Sequence, residues 1–185
     1  LNAIAGADPA DPTALQAPVP DHLYKLDGDL RGLRVGLDTA WASYGIDAPT
    51  QQALEACLAV LKDAGATVVP VKMPDTQAAL AAWTPMCCAE VAATHAENYP
   101  SRAAEYGPGL KGLIEAGSAT SGLDYARAHD VRQQFRGQMA ALFRGVDVLL
   151  APAFLGQNMT LERFASFGSQ VDDWDNLLRY TAPFD

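Results

Sequence analysis

From Gln77 to Ala96 the chain is almost wholly small or apolar, with Leu80, Trp83, Met86, Cys87, Cys88 and Val91 set among eight alanines and few charges. A helix that is apolar on every side must be covered on every side, so this stretch demands a layered fold with neighbours on each flank. Pro85 directly after Thr84 predicts a fresh helix start, with Thr84 as N-cap and Pro85 in the first helical position, so two helices are expected to meet at Trp83. The least charged run, Thr76 to Ala89, is interrupted by Gln77, Thr84 and Pro85 and is shorter than the roughly 20 residues of a bilayer span, so no membrane segment is expected.

The other elements follow from their periodicities. Leu33, Val35 and Leu37 alternate, which predicts a strand over Leu30 to Leu37 before an Asp- and Gly-containing loop. Asp47 or Thr50 can cap the next helix, whose Leu54, Cys57, Leu58 and Leu61 share one face until Gly65 ends it. Thr67 to Val71 is rich in β-branched residues and predicts a second strand. Strand, helix and strand in about forty residues make a βαβ unit with parallel neighbours and a right-handed crossover. Tyr99 to Gly109 reads as a loop or ragged turn, Leu110 to Ala116 as a short helix and Gly122 to Arg144 as a long amphipathic one with Ser121 as its cap. Val146 to Ala151 reads as a third strand ended by Pro152, and a last short helix is expected near Asp172 to Tyr180. The class is α/β. Parallel strands need cover on both faces, yet the helices of residues 76–98 carry more apolar surface than three strands can hide, so a larger sheet is expected.

Residues 1–25, with Pro9, Pro12, Pro18 and Pro20, read as an extended linker, and residues 26–185 as the domain. With 49% apolar residues in a chain of 185, a sizeable core needs no disulfide or metal. The 13 Lys and Arg against 22 Asp and Glu give a net charge of −9 with no basic cluster, which argues against nucleic acid as a partner. Three cysteines, Cys57, Cys87 and Cys88, suit no disulfide framework and point to a reducing, cytoplasmic setting. The sequence starts at Leu1 and shows neither an initiating Met nor a signal peptide, so a piece of a longer protein is expected.

Chemistry is hard to place on these residues. No G-x-S-x-G elbow occurs, and Ser43, Ser101, Ser118, Ser121, Ser166 and Ser169 sit in loop or capping contexts. His22, His95 and His129 form no recognisable triad. Cys88 and His95, seven apart with Glu90 and Glu97 nearby, lack the C-x-x-C or H-E-x-x-H spacing of a metal site, and the cysteine pair reads as packing. A hydrolase built on Cys87 or Cys88 is the remaining thiol alternative. Gly28, Gly32 and Gly36 precede or lie within a strand, where a dinucleotide fingerprint does not put its glycines. No cofactor and no metal are expected.

The order of the pieces resembles the amidase signature family of serine hydrolases. Leu1-Asn-Ala-Ile-Ala-Gly-Ala-Asp-Pro-Ala-Asp-Pro12 is similar to the A-I-A-G-x-D-x-x-D-P phrase that follows that family's catalytic core. The Leu30 to Gly36 strand, the Leu61 to Val69 helix end with its strand, and Val146 to Ala153 resemble later landmarks in the same order. Ala82 to His95 resembles the alanine-rich x-x-x-E-A-x-x-x-H helix, and Thr181-Ala-Pro-Phe-Asp185 resembles T-x-P-F-N.

This resemblance implies a protein two to three times as long, an α/β/α fold around a large, mixed and mostly parallel sheet, and amide hydrolysis by a Lys, cis-Ser, Ser triad. In the family the Lys and a G-G-S-S-G-G loop lie upstream of the A-I-A-G-x-D phrase, so no triad residue carries over and this chain alone is expected to be inactive. The resemblance places Trp83 and Thr84 over the acyl pocket and Pro152 to Leu155, including Phe154, at its mouth. Packing alone would put Trp83 and Phe154 in the core. Glu90 matches a family acid, read here as a paired structural carboxylate. The implied partner is a small-molecule amide, with a homo-oligomer compatible; the alternative is a non-enzymatic α/β binding or subunit module.

Overall fold

Arg34, Val35, Gly36 and Leu37 form the central strand of a parallel sheet because both of their edges find partners. In a computed structural model, which describes residues 1–24, 26, 28–156, 160–162 and 177–185, this strand, β1 (Arg34–Leu37), pairs with β2 (Thr67–Pro70), Arg34 opposite Thr67 and Leu37 opposite Pro70. Its other edge pairs in parallel with β3 (Val148–Leu149), Val35 opposite Val148, giving the order β2-β1-β3. Flanked on both sides, Val35 is only 1% exposed. Gly36 sits at a close approach, where a Cβ would lie 3.1 Å from a Val146 methyl group and press on it.

The strands are shorter than their hydrophobic patterns suggest. Leu30 to Leu33 form a turn instead, in which the Leu33 amide donates to the Leu30 carbonyl and Gly32 takes a φ of +89°. Asp147 is drawn out of the expected third strand by Arg34. The Asp147 carboxylate accepts from the Arg34 backbone amide at 2.8 Å and from its guanidinium at 2.7 and 3.1 Å.

Between β1 and β2 run α1 (Thr39–Ala42), a single turn that the hydrophobic pattern does not announce, and α2 (Ala48–Asp63). Asp38 makes α1: one carboxylate oxygen caps the Trp41 amide at 3.1 Å and the other accepts from the Met73 amide at 2.8 Å. Asp47, rather than Thr50, caps α2 by accepting from the Thr50 amide at 2.8 Å. Gly65, at a φ of +99°, ends the excursion. Leu54 of α2 packs with Leu37 and Ala42, against Leu150 on one face of the sheet. Leu149 points to the opposite face, as alternation along a strand requires, and meets Met73, Ala79, Phe135 and Met139. Helices therefore cover both faces.

The apolar stretch is one helix, α3 (Thr76–His95), and not two meeting at Trp83. Its cap is Asp75, which accepts from the Gln77 and Ala78 amides. Thr84 therefore lies exposed in mid-helix, and Pro85 is an interior proline. That position costs about 3 kcal/mol in an isolated helix, a cost the packing on both flanks outweighs. One flank is α5 (Pro108–Ala119), longer than expected because Pro108 opens it; the other is α6 (Gly122–Leu142), capped as expected by Ser121 on the Asp124 amide. Ala82 and Met86 pack on Ala128 of α6, with Tyr125 and Val131 alongside. Contrary to the expectation of cover on every side, Ala78, Ala81, Thr84 and Ala93 are exposed among the described residues, leaving one face of α3 open.

Of the two readings of Tyr99 to Gly109, the ragged turn is the one that forms: α4 (Tyr99–Arg102), a single helical turn, is followed by a 3-10 turn over Ala103–Glu105. Residues 1–24 hold turns but no helix or strand, closed on themselves where Asn2 bonds Asp21 and the His22 amide. The helix expected near Asp172 to Tyr180 lies largely outside the described residues. Beyond it, Ala182–Phe184 make a 3-10 turn.

Candidate functional site

The face that α3 turns toward α6 does not close completely. Trp83, Met86, Cys87, Glu90, Val91, Thr94 and His95 recur at helical spacing along one wall of a groove of about 390 Å³. Arg132 and Phe135 of α6 form the opposite wall, and Ala182, Pro183 and Asp185 close one end. The body is apolar and the polar groups are few, the usual make-up of a small-molecule site.

The closing segment is held from two directions. The Tyr180 hydroxyl sits 2.9, 3.0 and 3.3 Å from the carbonyl oxygens of Trp41, Tyr44 and Ala42. These carbonyls lie at and just beyond the end of α1, where the Trp41 carbonyl also accepts from the Tyr44 amide and the Tyr44 carbonyl from Arg179. The Trp41 ring meets Tyr180 edge-on at 4.9 Å and Phe184 at 6.1 Å, and its indole N–H donates to Thr76 at 3.1 Å. Anchored in this way, Asp185 accepts the Trp83 indole N–H on Oδ2 at 3.1 Å.

From α6 the Tyr125 hydroxyl donates to Glu90 at 3.1 Å. That hydrogen bond, the Glu90 charge and burial push the Tyr125 hydroxyl upward, against the opposing Arg132 charge. The partner of the Glu90 carboxylate is thus the Tyr125 hydroxyl. His95 Nδ1 lies 3.1 Å from the Tyr106 hydroxyl. Burial, then the neighbouring Cys88, Glu90 and Asp185, push the Cys87 thiol up, the reverse of what a nucleophilic cysteine needs. Cys88 is buried and also raised. The thiol hydrolase therefore finds no support.

Of the four residues assigned to substrate contact by resemblance, only Trp83 lines the groove. Thr84, one residue on, is exposed; Pro152 is half-buried and Phe154 is 56% exposed, neither of them lining it. Asp185, Arg132 and Phe135 were not picked out from the sequence as site residues. The last two lie three apart on an amphipathic helix, a signal that gives a shared face but not which cleft the face lines. Ser101, Ser118 and Ser121 donate to the Asn98 and Ile114 carbonyls and the Asp124 carboxylate. Ser166 and Ser169 lie outside the described residues. Among the described residues no three His, Cys, Asp or Glu side chains are grouped to hold a metal ion, and no helix is long and apolar enough to cross a membrane.

A parallel sheet with helices on both faces and a groove walled by the alanine-rich helix define an α/β protein with an apolar cleft. The chain belongs to the amidase signature family: a family model described as Amidase matches residues 1–185. It is 34% identical over 185 residues to the putative amidase AmiD of Mycobacterium tuberculosis, covering 100% of this chain and 38% of that one. It is also 34% identical over 176 residues to a glutamyl-tRNA(Gln) amidotransferase component from Anaeromyxobacter dehalogenans, covering 82% of this chain and 36% of that one. Among solved structures, a bacterial aryl acylamidase of the amidase signature family shares the fold with a TM-score of 0.70 at 22% identity, over 97% of this chain and 40% of that one. The corresponding glutamyl-tRNA(Gln) amidotransferase component from Thermotoga maritima does so with a TM-score of 0.69 at 19% identity, over 96% and 38%. The chain thus spans a little over a third of the length of these relatives.

Proposed function

We propose that this chain forms a substrate-facing wall of an amidase that hydrolyses the C–N bond of a small carboxamide, with the nucleophilic serine, its bridging serine and the lysine outside these 185 residues. The groove beside Trp83, in a chain of the amidase family, is the observation that carries this reading. An acyl-transfer site needs a nucleophile with an adjacent base and an oxyanion hole. The described serines that make side-chain hydrogen bonds spend them on local carbonyls or a carboxylate. In this reading the upstream serine attacks the carboxamide, the lysine takes its proton through the bridging serine, and an acyl-enzyme is released by water. Trp83 lies over the acyl group; Thr84, Pro152 and Phe154, which do not line this groove, would reach substrate only where the rest of the protein extends the site. The work is placed in the cytoplasm, where free cysteines persist.

Ammonia release from a panel of short aliphatic, aromatic and aminoacyl amides tests the proposal. The 185-residue chain alone is expected to give the buffer blank. The same chain joined to whatever the reading frame encodes ahead of Leu1 is expected to release ammonia and to lose that activity on substitution of an upstream serine. Turnover by the 185 residues alone overturns the assignment.

A further inference from the structure

We draw no further inference here: the strongest candidate, the apolar groove between α3 and α6 walled by Trp83, Met86 and Phe135, belongs to the site already described, and nothing in the structure shows what fills or covers it.

Discussion

Gly117 of α5 lies against the backbone of Cys88 in α3 so closely that a Cβ on Gly117 would sit 1.8 Å from the Cys88 carbonyl oxygen and 2.9 Å from the Ala92 Cβ. The two helices therefore cross in backbone contact, and the only residue that fits the crossing is one without a side chain. Gly117→Ala has to push the helices apart. It is expected to destabilise the chain by about 2 kcal/mol in urea unfolding, the usual scale for overpacking. Gly112→Ala, on the same helix but with nothing within 4 Å of its Cβ position, supplies the control. It is expected to stabilise by about 0.5–1 kcal/mol through helix propensity alone. Equal effects of the two substitutions would sink the interpretation.

Tyr180→Phe tests the anchor of the closing segment. The hydroxyl has one proton to share among the Trp41, Ala42 and Tyr44 carbonyls around it, two of which also accept from the Tyr44 amide and Arg179, so its loss removes one partly buried hydrogen bond. The expected cost is about 1–2 kcal/mol. Because the same segment presents Asp185 to Trp83, the Trp83 indole N–H resonance is expected to shift in this variant, whereas a change confined to α1 would leave it in place.

The Arg34–Asp147 pair gives the chain an acid-sensitive joint between β1 and β3. The Arg34 hydrogen bonds hold the Asp147 carboxyl at about 2, below its ordinary 3.8. A carboxyl depressed on folding contributes stability that is complete above its unfolded pKa and is lost as pH falls through the folded one. The contribution is therefore expected to be present at pH 5 and to fade between about pH 4 and pH 2. Urea midpoints measured across that range should fall more steeply for the wild type than for Asp147→Asn, and parallel curves would contradict the assignment.

Thiol alkylation reads the burial of the three cysteines. Cys57 is exposed, Cys87 half-buried with a raised pKa, and Cys88 buried against Gly117. Iodoacetamide at about pH 8, followed by mass spectrometry of peptides, is expected to label Cys57 first, Cys87 more slowly and Cys88 only on unfolding. Rapid labelling of Cys87 would reopen the case for an activated thiol.

The elements governed by local chemistry were legible in the residues. The βαβ unit, the cap at Ser121 and the stop at Gly65 each depend on a few neighbouring side chains, and they form where those side chains put them. What failed was long-range. Pro85 reads locally as a helix start, and only the flanking α5 and α6 make it tolerable in an interior. Asp38 looks like a loop residue until Met73, thirty-five positions on, brings its amide to the same carboxylate. Trp83 was found through resemblance, but its partner Asp185 is 102 residues away, a separation that no period or spacing encodes.

Pro85 has no N–H to return to the carbonyl of Ala81, so the exposed side of α3 carries a missing rung one half-turn before Trp83. Most helices present a smooth, self-satisfied backbone to anything laid against them. This one lacks a backbone donor in mid-helix, beside the exposed Ala81 and Thr84.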